Sequence, residues 1–226
     1  MGVNVNTDNT SVTNPYLESA KAAAKQRIAN ADIKTYDDIN NLMTSSVSLW
    51  GDKVLTEEQQ KQAYTQYSQT MLDEYYDING DGTVTIEEFA KTEELSSCKA
   101  GEIQANALGF SAGELEKTIS QRTGNVFAHN LDFNGNGNID AEELSFFNKE
   151  ADGVDGAYDG KIKNAGESAM FSAVTGMNAS NPEYNRVVNK YFMGETLTPE
   201  EQQILKDCQK TVRTNIGKAA GINVEG

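Results

Sequence analysis

Proline occurs only three times in the 226 residues and cysteine only twice, so neither a turn-rich strand sandwich nor a disulfide framework is expected. Cys98 and Cys208 lie far apart without the paired spacing of a zinc site, and are expected to be buried or idle thiols. Histidine occurs once, at position 129, so any histidine-dependent triad would have to use that residue. No nucleophile elbow, phosphate-cradling glycine loop, HExxH motif or CxxC pair occurs either, and no enzymatic activity is expected. His129 itself reads as a surface or packing residue.

Also missing is any run approaching the roughly 18 apolar residues that span a bilayer. Residues 1–10 have neither the basic nor the apolar part of a secretion signal. A soluble chain is expected, cytoplasmic as the sequence stands and secreted if a leader has been removed. Basic residues are outnumbered 34 to 19, giving a net charge of −15, which repels nucleic acid and anionic membrane surfaces. Cations and basic protein partners are the natural counterparts.

Residues 1–13 are rich in Asn and Thr without periodicity and read as a loose leader. Helices are then expected from Asn14-Pro15, with Leu17, Ala20, Ala24 and Ile28 on one face, and from Thr35, with Ile39, Leu42 and Met43. Thr56-Glu57-Glu58-Gln59 is a capping box and opens a helix with Tyr64, Tyr67, Met71, Leu72 and Tyr75. After a loop comes a short helix with Ile86, Phe89 and Leu95, then a small-residue connector over 96–109. A further helix carries Leu115, Ile119, Val126, Phe127 and Leu131 into a second loop. Past Leu144 and Phe147, a Gly- and Asp-rich stretch over 152–160 precedes helices around 168–174, around 184–193 and from Thr198, where Pro199 takes the first helical position. The expected organisation is two halves, 14–97 and 98–226, each with one complete loop.

Those loops, 77–88 and 132–143, carry the chemistry. Ca²⁺ takes six to eight oxygens, which a 12-residue loop offers from positions 1, 3, 5, 7, 9 and 12, with Gly at position 6 for the sharp turn. In the first loop Asp77, Asn79 and Asp81 supply side-chain oxygens, Thr83 its carbonyl, Thr85 a hydroxyl or a bridging water, and Glu88 both carboxylate oxygens, with Gly82 at the turn. In the second, Asp132, Asn134, Asn136 and Asp140 supply side chains, Asn138 its carbonyl, Glu143 the closure, and Gly137 the turn. Val84 and Ile139 stand at position 8, where loops that come in pairs align short strands. One full match arises by chance about once in two thousand chains of this length. Two, each between apolar-faced helices, are not accidental.

On these residues the chain resembles the EF-hand calcium-binding superfamily, and broadly the multi-EF-hand proteins such as calerythrin and the sarcoplasmic calcium-binding proteins. The resemblance is specific across about 56–150. It implies an all-α fold, a helix-loop-helix array with short paired loop strands and flanking N- and C-terminal helices. It also implies two bound Ca²⁺ ions, with Mg²⁺ competing.

Two weaker echoes are present. Residues 47–58 read as a degenerate loop that keeps the apolar Val54 and the closing Glu58 without the early acids. Residues 155–167 match at Asp159-Gly160-Lys161-Ile162, but place Ala157 and Lys163 at positions 3 and 9 and Glu167 one residue too late, so a structural pseudo-loop or a surface turn with incidental acids is expected rather than a third site. The complete loops start 55 residues apart, long for a tight tandem (132 − 77). Each is therefore expected to pair with a degenerate loop in its own half. Trp50 reads as a core anchor, and Met43, Met71, Met170, Met177 and Met193 as core packing rather than a recognition groove. The role left open is sensor, buffer or calcium-stabilised module, the alternative being an interaction protein that binds a partner through its C-terminal helices.

Overall fold

The computed structural model describes residues 46–93, 114–176 and 181–221. The leader over 1–13, the two helices expected before residue 44, the connector over 96–109, Cys98, Met43 and Met177 lie outside the described residues.

A short strand, β1 (Ser46–Ser48), leads through a turn into helix α1 (Glu57–Met71). The helix starts where the capping box predicts. The Thr56 hydroxyl accepts the Gln59 N–H at 3.3 Å, and the Gln59 side chain accepts the Thr56 N–H at 3.0 Å. Glu57 and Glu58 in the first turn complement the positive end of the helix. The helix continues into a wider turn, Leu72–Tyr76, where the Asp77 N–H reaches back to the Leu72 carbonyl at 2.9 Å. Helix α2 covers 86–93. Then follow α3 (Glu114–Leu131), α4 (Ala141–Asp152), a single tight turn at Gly153–Asp155, strand β2 (Lys161–Lys163) and α5 (Asn164–Thr175). Helices α6 (Pro182–Phe192) and α7 (Pro199–Ala219) complete the described chain. Each of these two has an Asn or Thr cap and Pro in its first turn, as expected for a helix start. Among the described residues the fold is mainly helical, with one two-stranded antiparallel sheet. Among the described residues no helix is long and apolar enough to cross a membrane.

The loops pair differently from the expectation. Loops 77–88 and 132–143 pair with each other: Thr85 bridges Asn138, the Ile139 N–H bonds the Val84 carbonyl at 2.9 Å, and the Ile86 N–H bonds the Gly137 carbonyl at 3.2 Å. Val84 therefore stands opposite Ile139, both buried. The 55-residue separation is no obstacle, because loop closure grows only logarithmically, by about 0.6 kcal/mol per doubling of length. The two degenerate segments also pair with each other, Val47 lying opposite Ile162 in the β1–β2 ladder.

The boundaries expected for the first degenerate loop are corrected too. Val54 is 98% exposed, whereas Val47 is 1% exposed and takes the strand-pairing place. The place three residues after the helix cap, which Glu88 and Glu143 take after Thr85 and Asp140, falls on Gln59 and not on the exposed Glu58.

Helices α1 and α4 consequently each join two loop segments. Since α1 runs from β1 toward the first complete loop and α4 from the second complete loop toward β2, they lie antiparallel. One paired end carries the complete loops and the other the β1–β2 ladder. Asn148 of α4 donates to the Ser68 hydroxyl of α1 at 2.9 Å between the two ends, with both groups buried. Three apolar clusters are present among the described residues. The central one, under the complete loops, packs Tyr76 parallel to Phe89 at 4.2 Å and joins Phe127, Leu131, Phe147 and Val174. A second, at the β1–β2 end, gathers Val47, Leu49, Trp50, Tyr64 and Ile162. A third ties Val126 of α3 to Tyr184, Val188, Phe192 and Leu205 of α6 and α7. Burying each such large side chain contributes roughly 1.5–3 kcal/mol.

Candidate functional site

The first complete loop is held by its own polar side chains. Asp77 Oδ1 accepts the N–H groups of Gly80 (2.8 Å) and Asp81 (3.2 Å), and Oδ2 that of Gly82 (2.9 Å). Asn79 accepts from Asp81 N–H at 2.8 Å, and Asp81 from Thr83 N–H at 2.9 Å. Glu88 reaches back to accept the Asn79 N–H at 3.3 Å through one oxygen, and the Thr85 N–H and hydroxyl at 3.0 and 2.9 Å through the other. Thr85 in return accepts the Glu88 N–H, so loop closure and the start of α2 use the same two residues.

The second loop repeats the arrangement. Asp132 accepts from Asn136 and Gly137 N–H, both at 3.1 Å, while Asn134 accepts from Asn136 and Asn136 from Asn138. Glu143 accepts the Asn134 N–H at 3.2 Å and the Asp140 N–H at 3.1 Å. Asp140 caps α4 by accepting the Glu142 and Glu143 N–H groups, and takes a bond from the Asn134 side chain. Gly82 and Gly137 have φ of 83° and 84°, the left-handed region that a side chain would strain.

Loop polar groups of both segments thus face their own turn, and amides occupy only part of the capacity of each carboxylate, which offers about four lone pairs. Oxygen is the only donor element, which suits a hard cation such as Ca²⁺ or Mg²⁺ and not a soft one. Among the described residues no three His, Cys, Asp or Glu side chains are gathered closely enough to make a ready metal cluster. The acids are interleaved with Asn side chains and the carbonyls of Thr83 and Asn138, as the 12-residue pattern requires.

The two loops differ in electrostatics. Glu143 is fully buried and Asp132 is 3% exposed, and among the described residues neither carboxylate has a lysine or arginine partner. Burial pushes the Glu143 carboxyl up to about 8, against the opposing pull of the Asp140 and Asn134 amides and with the neighbouring acids Asp140 and Asp132 adding to the rise. Glu88 is more open, and the Thr85 amide, followed by the Thr85 hydroxyl and the Asn79 amide, holds it below the usual carboxylate range. Two buried acids without a cation are costly, and a divalent ion is the compensating charge that the donor set fits.

The segment at 152–163 was only half read from the sequence. Its first acid is Asp152 and not Asp155: Asp152 Oδ2 accepts the Gly160 N–H at 2.8 Å, as Asp77 and Asp132 accept from their own glycines. Tyr64 of α1 donates its hydroxyl to the same carboxylate. Tyr64 signalled only a helix face in the sequence, and no local pattern links it to a residue 88 positions later.

His129 is exposed on α3, as expected of a surface residue. It borders an open groove of about 540 Å³ between α3 and the start of α7, with Arg122, Tyr191, Leu205 and Lys206. Trp50 is 4% exposed and meets Tyr64 edge to face at 5.4 Å, the core anchor that was expected. Met71 and Met170 pack against the core, whereas Met193 is 48% exposed. Cys208 is a free, partly buried thiol.

A family model described as an EF hand matches residues 74–91, the first complete loop with its flanking turns. No curated protein and no solved structure matches the chain. The match supports the EF-hand superfamily and, with it, calcium binding in general.

Proposed function

We propose that the chain is a non-enzymatic calcium-binding protein with two ion sites, formed by Asp77, Asn79, Asp81, Thr83, Thr85 and Glu88 and by Asp132, Asn134, Asn136, Asn138, Asp140 and Glu143. The observation that carries this reading is the buried pair Asp132 and Glu143, without a lysine or arginine partner among the described residues, in a loop paired with a second loop of the same pattern. Bound calcium would supply the positive charge those carboxylates lack. The chain's own residues set the loop shape, fix Glu88 and Glu143 at the helix starts, and keep the loops paired through Val84 and Ile139. Mg²⁺ competes at such oxygen sites to the extent that it tolerates their larger coordination number. The acidic balance of the whole chain favours cations and basic protein partners over nucleic acid.

A second role, recognition of a protein partner by the C-terminal helices, is favoured by the groove along α3 and α7 and by the exposed Met193. It would sit beside ion binding.

Calorimetric titration of the chelator-stripped full chain with CaCl₂ tests the proposal. Two ions per chain are expected, falling to one in Glu88→Gln and to one in Glu143→Gln. An unchanged stoichiometry in both variants overturns it.

A further inference from the structure

We propose that the segment 152–163 is a loop of the same design whose cation has been replaced by the chain itself, lysine ammonium groups and a tyrosine hydroxyl taking the acids, so that the β1–β2 end holds its shape without metal.

The likeness is geometric. Asp152 Oδ2 accepts the Gly160 N–H at 2.8 Å as Asp77 and Asp132 accept from Gly82 and Gly137 at 2.9 and 3.1 Å. Asp159 accepts the Lys161 N–H at 3.1 Å as Asp81 accepts from Thr83 and Asn136 from Asn138. Gly160 has φ of 77°, beside 83° and 84° at the other two turns. Ile162 then stands two residues after its glycine and opposite Val47, as Ile139 does opposite Val84.

What differs is the spacing, the side chains at two of the loop positions and the closing position. The stretch from acid to glycine is eight residues and not five, the extra length being taken up by the turn at Gly153–Asp155. The positions filled by Thr83 and Thr85, or Asn138 and Asp140, are Lys161 and Lys163. Lys161 Nζ lies 3.0 Å from Asp159 Oδ2, and Lys163 is paired with Asp155. The place of the closing glutamate falls on Gly166, where a Cβ would come within 2.0 Å of the Ala151 carbonyl, so no acid fits there. The Lys163 ammonium beside Asp155 accordingly holds that carboxyl low, and each lysine is raised by its partner.

The contributions divide by exposure. The two lysine pairs are 42–46% exposed, and such surface pairs are individually weak. Their effect is to neutralise the acids and to exclude a competing ion. Rigidity comes from the buried groups: the Tyr64 hydroxyl on Asp152, and the Trp50 ring lying directly over Gly160, where a Cβ would meet it at 2.5 Å. The Leu49 N–H adds a 2.8 Å bond to the Gly160 carbonyl.

Amide hydrogen exchange on the full chain, in excess chelator and then in excess CaCl₂, tests this independently of the two-site reading. The Gly160, Lys161 and Ile162 amides are expected to exchange at least tenfold more slowly than those of Gly82 and Gly137 in chelator, and to change less than threefold on adding calcium. In Tyr64→Phe, Asp152 loses its buried hydroxyl donor, and protection at Gly160 and Lys161 is expected to fall by tenfold or more, in chelator and in CaCl₂ alike. Loss of Gly160 and Lys161 protection in the chelated parent protein overturns the proposal, as does undiminished protection in Tyr64→Phe. Failure of the two-site reading would appear separately, as calcium-indifferent exchange at Gly82 and Gly137.

Discussion

Asn148 and Ser68 meet at 2.9 Å in the buried seam between α4 and α1, the amide donating to the hydroxyl. Both residues are nearly or fully withdrawn from water, so this bond joins the Tyr64–Asp152 bond in fastening the two helices that link the complete loops to the β1–β2 end. Ser68→Ala leaves the Asn148 amide without that acceptor and is expected to cost about 1–3 kcal/mol. Adding Asn148→Leu should recover much of the loss, since removing both partners removes the stranded donor. Chemical denaturation of the two variants measures it.

The ion-free protein should lose stability as pH rises. Glu143 ionises near 4.5 in an unfolded chain and at about 8 when buried in the fold, so its favourable, protonated state is fully present below about 4.5 and is lost as pH climbs through about 8. Thermal unfolding in chelator is expected to show a midpoint falling between pH 5 and pH 9, with Glu143→Gln flattening that slope. Binding a cation near pH 7 should correspondingly release protons from the second loop, read as a dependence of the titration heat on the ionisation enthalpy of the buffer.

Glu201 behaves in the opposite sense. The Lys190 ammonium, the Thr198 amide and the Arg186 guanidinium hold its carboxyl down to about 2. This lowered value contributes stability above about 4.5 that disappears as pH falls through about 2. Glu201→Gln should therefore lower the unfolding midpoint at pH 7, with the difference from the parent shrinking toward pH 2.

Replacing glycine by alanine should separate the two ends of the molecule. At Gly137 the added methyl meets open space, so only the backbone strain of φ 84° is felt, about 1 kcal/mol. At Gly160 the same strain is joined by collision with Trp50. Gly160→Ala is expected to cost at least about 2 kcal/mol and to shift Trp50 emission. Denaturation followed by far-ultraviolet circular dichroism and by fluorescence compares them.

The sequence made the helices legible wherever caps and apolar spacing agreed. Thr56 with Gln59 and Thr198 with Pro199 mark starts that hydrogen bonds account for, whereas the Asn181 cap before Pro182 lies ahead of the helix expected around 184–193. The complete loops were equally legible, because twelve consecutive residues carry their whole pattern. Pairing was not, since strand partners are chosen by long-range packing: nothing near Val47 names Ile162, 115 residues later (162 − 47). The third loop was misplaced by three residues for a related reason. The acid that bonds its glycine is Asp152, eight residues ahead of Gly160 rather than five, and only the fold brings Tyr64 to that carboxylate.

Helix α3 carries different cores on adjacent faces. Val126 belongs to the cluster with α6 and α7, Phe127 and Leu131 belong to the central cluster, and Asp132 opens the second loop one residue further on. Arg122 ties the same helix to the carbonyls of Tyr191 and Glu195, and Asn130 ties it to the carbonyl of Val174. A rod loaded on two sides cannot tilt at its tip without shearing both, so whatever reorients Asp132 is felt as torque along the groove beside Tyr191 and Leu205.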